Sequence, residues 1–352
     1  MVKKFGGVVL ALLGLMPVAV QAKYATGVFV ESYSSGALER NTNLIYTLKD
    51  DPVGNTVNTL GGDSSNSITS SVLYDRTASG LGNFYAAHSA QGVVEAGVIR
   101  VMSQASAGTF HAGAGYSYYD LKTYASGYAS GNVEDSMTWS VDGVAVGTPI
   151  KLRFRLDSSG DVDFSSLRSS TNDSRAFGYA QISWFAQISG RDPSAKEFYG
   201  SFSSPTTQVT QNFDWSAVEN ISGLGAFTFE QIVYSGLPVT LRLSAGANVS
   251  ITTHDMCAQS VSYCTTIAGG ASAVAKSDFM HTFSWGGVQG VSLADGSALN
   301  LADLRVSADS GLDYRVAQAV PEPSAYALLL AGLCVVGIRR RAFKPGNEKI
   351  PA

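Results

Sequence analysis

Residues 149–157, with the sequence PIKLRFRLD, alternate apolar and charged side chains with a period of two. The apolar positions are Ile150, Leu152, Phe154 and Leu156, and the charged positions between them are Lys151, Arg153 and Arg155. This alternation is typical of a β-strand with one buried and one solvated face. Further runs of strand character occur at residues 92–102, 135–143, 178–188, 225–234, 237–251 and 279–288.

Turn signals separate these runs. We predict short loops at VDGV, residues 141–144, and at DSSGD, residues 157–161, and a loop-rich region over residues 34–82 whose most flexible part is 50–67. Many short strands at nearly regular spacing favour an all-β fold, a β-sandwich or a jelly roll. One large sandwich over 111–319, with an N-terminal elaboration over 23–110, is favoured over two separate domains.

Composition agrees with a β-rich protein. The chain contains 37 glycines, and only 15% of its residues are charged, below the usual fraction of about 25%. The central part of the chain, residues 23–320, contains 17 of the 24 Lys and Arg residues and 26 of the 28 Asp and Glu residues. Its formal net charge is therefore −9. A negative charge of this size disfavours binding to nucleic acid or to an anionic membrane surface.

The N-terminus has the three parts of an export signal. Lys3 and Lys4 are basic, residues 5–20 are mostly apolar, and small residues precede a cleavage position after Ala22. We therefore predict a signal peptide over 1–22, with an uncleaved membrane anchor as the alternative.

The C-terminus contains an uncharged apolar run, residues 324–338, between a Pro-Glu-Pro triplet and an arginine cluster. Fifteen residues of helix extend roughly 22 Å, less than the ~30 Å thickness of the hydrocarbon core, so a buried core helix is one interpretation. The terminal position, the helix-punctuating prolines and the arginines favour a short transmembrane helix with its arginines in the cytoplasm. Residues 342–352 would then form a polar cytoplasmic tail.

The stretch VPEPSAYALLLAGLCVVGIRRR, residues 320–341, resembles the PEP-CTERM sorting signal of Gram-negative bacteria that make exopolysaccharide. The same kind of segment is also catalogued as an ice-binding protein C-terminal domain. The resemblance implies recognition and processing by exosortase, an integral-membrane enzyme. It implies that Pro321, Glu322 and Pro323 form the recognition element, that 324–338 is a temporary anchor, and that Arg339, Arg340 and Arg341 stop translocation.

Two cysteines remain in the body once the anchor, which contains Cys334, is set aside. Cys257 and Cys264 lie seven positions apart in HDMCAQSVSYC, and in an oxidising compartment this spacing favours a disulfide that closes a small loop. The alternative joins them with His254 and Asp255 in a metal site, although no CxxC pair is present.

Carboxylates provide the remaining candidates for ion binding or catalysis. Asp157, Asp161 and Asp163 could gather around calcium, or could be solvated acids in a hairpin turn. Glu134 and Asp135 are adjacent, so on a strand they face opposite sides and cannot form a glycosidase pair by themselves. The four histidines are scattered, and the GxSxG, HExxH, GxxxxGK[ST] and GxGxxG motifs are absent from the sequence.

Tyrosines are concentrated in YSYYDLKTYASGY, residues 116–128. Together with Trp139 and Trp184 they could form a stacking platform for a polysaccharide, or they could fill strands for packing reasons alone. The tyrosines in question are Tyr116, Tyr118, Tyr119, Tyr124 and Tyr128.

The sequence therefore predicts a non-enzymatic, exosortase-sorted component of the cell surface or exopolysaccharide matrix, without a cofactor. The alternatives are a secreted carbohydrate-binding or ice-binding module and, third, a glycan hydrolase on the same scaffold.

Overall fold

The structure is a computed structural model that describes residues 24–40, 43–49, 53–60, 63–76, 82–95, 97–111, 119–168, 173–203, 207–213, 217–222, 225–257 and 269–318. These residues form sixteen β-strands and one short 3-10 helix, Leu301–Asp303. The strands are β1 (Ala25–Arg40), β2 (Asn43–Lys49), β3 (Val53–Leu60), β4 (Ser64–Arg76), β5 (Gly82–Glu95), β6 (Val98–His111), β7 (Tyr119–Val141), β8 (Pro149–Arg168), β9 (Asp173–Arg191), β10 (Glu197–Ser203), β11 (Thr207–Phe213), β12 (Ala217–Ser222), β13 (Gly225–Tyr234), β14 (Pro238–Cys257), β15 (Gly269–Leu293) and β16 (Leu304–Ala308).

The strands form two antiparallel sheets. The first sheet has the order β10-β9-β14-β7-β1-β2, and β11, β16 and β3 pair with β9, β7 and β1 respectively. The second sheet has the order β12-β8-β15-β6-β5-β4, and β13 also pairs with β8. The sheets pack face to face around one hydrophobic core, which confirms the all-β sandwich class.

Period-two alternation decides which side chains enter this core. In the PIKLRFRLD segment of β8 the four apolar side chains are fully buried, while the three basic side chains between them lie on the outer face. The buried residues are Ile150, Leu152, Phe154 and Leu156, and the outer ones are Lys151, Arg153 and Arg155. In β14 the buried face likewise begins with Val239, Leu241 and Leu243. The predicted strand at 225–234 is β13, with the predicted bounds.

The predicted loop at residues 157–161 is wrong, because β8 continues through it to Arg168. Val162 and Phe164 are buried on the same face of β8 as Ile150. The alternation of buried and outward side chains therefore continues across the Ser, Gly and Asp residues. The pairing of β15 with β8 shifts between Asp278 and Thr282, and a Cβ on Gly160 would lie 2.5 Å from the Asp278 carbonyl oxygen. Gly160 therefore allows close approach of a bulged neighbour and does not form a turn.

Two further predictions about loops are corrected. Residues 92–102, predicted as one strand, contain the end of β5 and the start of β6. Glu95 pairs with Val98, and Gly97 has a φ of 73°. Residues 34–82, predicted to be loop-rich, include the end of β1 and all of β2, β3 and β4. The turn predicted at residues 141–144 is confirmed, with Val144 N–H donating to the Val141 carbonyl at 3.0 Å.

Strands on both sides of residue 111 contribute to both sheets: β1 lies beside β7 in the first sheet, and β6 lies beside β15 in the second. The boundary between an elaboration and a main sandwich stays a prediction.

Candidate functional site

The outer face of the first sheet carries part of the predicted tyrosine platform. Tyr124 and Tyr128 lie on β7 and are half-buried. Their rings pack against those of Tyr33 and Phe29 on the neighbouring β1, with centroids 5.5 Å and 5.9 Å apart and interplanar angles of 52° and 53°. The Tyr124 and Tyr128 rings are therefore held by their neighbours and present only part of their surface outward.

The two tryptophans assigned to the same platform lie elsewhere. Trp139 and Trp184 are 1% and 5% exposed and belong to the core. Trp139 has the opposite strand parity to Tyr124 and Tyr128 on β7, so its ring points inward. The prediction that tryptophans and tyrosines share one surface is wrong. Tyr116 and Tyr118 lie outside the described residues, as does the side chain of Tyr119.

The calcium candidates share the outer face of β8 but do not converge. Asp157 is ion-paired to Arg155 at 2.6 Å. Lys276 lies close enough to Asp161 and Asp163 for their charges to raise its pKa, although its hydrogen bond to Asp278 is the larger cause. Within the described ranges, the structure brings together no group of three or more His, Cys, Asp and Glu residues that could hold a metal ion.

Glu134 and Asp135 face opposite sides of the first sheet, as their adjacency on a strand requires. The Glu134 carboxylate lies outside and accepts a hydrogen bond from Arg242 Nε at 2.7 Å. The Asp135 carboxylate is fully buried, and it accepts hydrogen bonds from the Ser310 backbone N–H at 3.2 Å and from the Ser310 hydroxyl. The expected separation of these two carboxyl groups is confirmed.

Asp135 is the centre of a buried polar cluster with Tyr24, Ser310 and Tyr314. Burial raises the pKa of Asp135, and its hydrogen bonds from Ser310 oppose that rise. Burial, with the charges of Asp63 and Asp135, raises the pKa of Tyr24 to about 12. Burial and the Asp135 charge also raise the pKa of Tyr314. This cluster therefore favours the neutral forms of its three titratable groups.

Sequence reasoning missed this polar cluster, because its members come from the first described residue, the C-terminal third of β7 and the segment after β16. One signal was present in the sequence: Asp135 has the same strand parity as Val133, Met137 and Trp139, which are all buried. An inward-facing carboxylate on a strand requires polar partners.

The segment that follows β16 closes against β15. The Trp285 Nε1–H donates to the Tyr314 carbonyl at 2.7 Å, and the two rings meet edge to face at 5.5 Å. The Gln318 backbone N–H donates to the Trp285 carbonyl at 3.0 Å, and Val288 N–H donates to the Arg315 carbonyl at 3.1 Å. The segment after β16 is therefore held against β15 by hydrogen bonds as far as Gln318, the last described residue.

The proposed cysteine and metal residues are only partly described. His254 and Asp255 lie on opposite faces of β14, half-buried and fully buried respectively, and the Asp255 carboxylate accepts a hydrogen bond from the Ser174 hydroxyl at 2.6 Å. Neighbouring residues of one strand cannot both point to one ion. The Cys257 side chain and all of Cys264 are outside the described residues, so the disulfide stays a prediction.

The predicted terminal segments also lie outside the described residues. They include the cleavage position at Ala22, the sorting residues Pro321, Glu322 and Pro323, the helix over 324–338 and the arginines at 339–341. In the part of the chain that the structure describes, no helix has the length and apolarity needed to cross a membrane.

A family model described as the PEP-CTERM protein-sorting motif matches residues 319–342. The match begins directly after Gln318, where the described body ends. It confirms the resemblance of the C-terminus: this chain carries a PEP-CTERM sorting motif, which implies an exported protein that is sorted through its C-terminus.

No curated protein matches the chain. Among solved structures, one of carbohydrate-binding modules from the β-sandwich superfamily is 10% identical and covers 72% of this chain and 84% of its own, with a TM-score of 0.09. The VP2 subviral particle of infectious bursal disease virus is 9% identical and covers 73% of this chain and 66% of its own, with a TM-score of 0.08. Likenesses this low carry no argument about fold or function.

Proposed function

We propose that this chain is exported, held at the inner membrane by residues 324–338, and released by an exosortase-type enzyme that acts near Pro321 to Pro323. The β-sandwich then serves as a non-catalytic structural or adhesive component of the cell surface or exopolysaccharide matrix of a Gram-negative bacterium. The sorting-motif match at 319–342 is the observation that carries this proposal.

Three features of the chain support the proposed route. The N-terminus has the basic, apolar and small-residue parts of a signal peptide, and an arginine cluster follows the C-terminal apolar run. The strands of the two described sheets end at Ala308, and the matched motif starts eleven residues later. Removal of the motif would therefore leave every described strand in place.

The long sandwich suits a structural role. Its first sheet exposes mainly short polar side chains beside the half-buried Tyr124 and Tyr128. Ion pairs such as Arg153–Glu230 and Arg242–Glu134 lie on the surface. The net charge of −9 over 23–320 favours solubility outside the cell. We assign no catalytic step to this body.

Carbohydrate binding is a second role, favoured by the same sheet face. The Asn248 side-chain amide donates to the Tyr179 hydroxyl at 3.2 Å, next to the Tyr128 strand. Amides, hydroxyls and aromatic rings together form the kind of surface that sugar rings contact.

The intact mass of the mature protein tests the sorting proposal. We expect protein from the extracellular fraction of the producing cells to end near Pro321 to Ser324, and only when the processing enzyme is present. A variant with Pro321 and Pro323 both changed to alanine should keep its C-terminal segment and stay with the membrane fraction.

A matched control changes Pro205 to alanine in the body, which should leave the processed mass unchanged apart from the substitution. A mature protein that retains residues 324–352 in the presence of the enzyme would contradict the proposal and indicate a permanently anchored envelope protein.

A further inference from the structure

Four side chains form a straight row across the outer face of the first sheet. Tyr199 on β10 pairs with Ser189 on β9, Ser189 pairs with Thr240 on β14, and Thr240 pairs with Ser136 on β7. With neighbouring strands about 4.8 Å apart, the row is about 14 Å long. It consists of one phenol ring and three aliphatic hydroxyls.

Two adjoining cavities lie over this row. One, of about 430 Å³, is lined by Ser136, Ser189 and Thr240 together with the β9–β10 turn and Leu237 to Val239. The other, of about 380 Å³, is lined by Ser189 and Thr240 and extends to Tyr199. Because they share lining residues, they form one continuous depression, which we call the hydroxyl groove.

The wall of the hydroxyl groove is preformed by the turn that joins β9 to β10. The Asp192 carboxylate accepts hydrogen bonds from the backbone N–H groups of Ser194 and Lys196, both at 2.9 Å, and from the Ser194 hydroxyl at 2.7 Å. Ala195 has a φ of 65°, the only positive φ of a non-glycine residue in the described ranges. A turn held in this way keeps its shape without a ligand.

The charges at the hydroxyl groove are already compensated. Arg191 Nη2 lies 3.3 Å from Glu197 Oε1 at the rim. The hydrogen bond from Ser194 is the largest cause that lowers the pKa of Asp192, so that carboxylate is committed to its own turn. The groove thus offers neutral hydrogen-bonding groups on an acidic protein, which selects against polyanions.

Tyr199 provides the apolar contact. Its side chain is on an edge strand and is 75% exposed, although an aromatic ring of this size normally packs against neighbours. An exposed ring beside a floor of hydroxyls matches a ligand with apolar C–H faces and a polar rim. Sugar rings in the pyranose form have this combination.

We propose that the hydroxyl groove binds a neutral polysaccharide chain, with the Tyr199 ring stacked on one sugar and the Ser189, Thr240 and Ser136 hydroxyls bonded to the next units. The inference rests on the carbohydrate-binding role above and gives it a site. The site is distinct from the Tyr124 and Tyr128 pair, since Ser136 is eight residues from Tyr128 along β7, or about 27 Å.

Calorimetric titration of the mature secreted protein with cellohexaose, maltohexaose and laminarihexaose tests the proposal. We expect at least one of these hexaoses to bind, and Tyr199→Ala to raise its dissociation constant about tenfold or more. Tyr199→Phe, which keeps the ring, should bind nearly as well as the wild type. Ser189→Ala should weaken binding less than the loss of the ring.

Leu167→Ala is the matched control, because Leu167 is 60% exposed on the second sheet and should not affect binding. The proposal is overturned if no hexaose binds, if a hexauronate binds more tightly than the neutral sugars, or if Tyr199→Ala leaves the affinity unchanged. These results are independent of the C-terminal mass, so a failure of sugar binding and a failure of sorting can be told apart.

Discussion

The two halves of the sandwich core are filled by different kinds of residue. Aromatic rings fill one half: the ring centroids of Phe154 and Trp285 are 5.1 Å apart, and those of Trp184 and Phe283 are 5.4 Å apart. Alanines and glycines fill much of the other half, where the facing strands carry Ala86, Ala90, Ala105, Ala107, Ala125 and Ala129. We call these the aromatic half and the small-residue half.

The comparison shows two ways to stabilise one pair of sheets. In the aromatic half, stability comes from the large area that each ring removes from water. In the small-residue half, the sheets approach so closely that a Cβ on Gly131 of the first sheet would lie 2.6 Å from Ile99 and 2.7 Å from Val94 of the second. The first half should therefore be sensitive to deletion and the second to insertion.

Removal of the Trp285 ring should have the largest effect. Trp285→Ala leaves a cavity beside Phe154 and deletes the donor to the Tyr314 carbonyl, so we expect a loss of about 3–5 kcal/mol of unfolding free energy. Urea denaturation measures this loss. Trp285→Phe, which keeps a ring, should cost much less; equal costs for both variants would mean that the donor and not the ring stabilises this half.

Addition of one methyl group should have the next largest effect. Gly131→Ala places a Cβ against Ile99 and Val94, and overpacking of this kind costs about 1–3 kcal/mol. The same denaturation measurement applies. A cost larger than that of Trp285→Ala would reverse the comparison.

Gly246→Ala is the matched control for the insertion. Gly246 is also a strand glycine without a positive φ, but its added Cβ would have no neighbour closer than 3.6 Å, so we expect little change or a slight gain in stability. Val94→Ala should also restore part of the stability of Gly131→Ala, because it vacates the space that the new methyl group needs. If both glycine variants lose stability equally, close approach of the sheets is not the cause.

The smallest effect should depend on pH and arise at Asp135. Because burial raises the pKa of folded Asp135 above its unfolded value, the folded protein binds this proton more tightly. The stabilisation by the protonated form is complete below the unfolded pKa and is lost as the pH rises through the folded pKa. Relative to Asp135→Asn, the wild type should therefore become less stable as the pH rises and then level off.

Unfolding free energies of both proteins from about pH 4 to pH 8 check this prediction. Carboxylates whose pKa is lowered, such as Asp313 beside Arg315, are present in both proteins and cancel in the difference. If the difference in unfolding free energy between the wild type and Asp135→Asn stays constant across this pH range, the predicted role of Asp135 is wrong.

Strand parity made much of the fold predictable from the sequence. It identified the buried faces of β8 and β14, and it separated Glu134 from Asp135. The false loop at 157–161 arose because turn-forming residue types were given more weight than the alternation, which Val162 and Phe164 continue. The same parity could have excluded Trp139 from the tyrosine platform.

The hydroxyl groove could not be predicted in this way. Ser136, Ser189, Tyr199 and Thr240 are ordinary strand residues, and they form a row only through the pairing of four strands. That pairing depends on long-range contacts between residues up to 104 positions apart. The sorting motif, by contrast, is contiguous and can be read without a structure.

The hydrogen bond from the Gln318 backbone N–H to the Trp285 carbonyl fixes the C-terminal end of the body. It thereby limits the distance between the body and the Pro-Glu-Pro triplet. Pro321 follows three residues later, so the chain between them spans no more than about 11 Å. Tyr24, next to the predicted signal-peptide junction, lies in the same polar cluster as Tyr314. Under the proposed route, both junctions would therefore lie at the same end of the sandwich, and that end would face the membrane until the chain is cut.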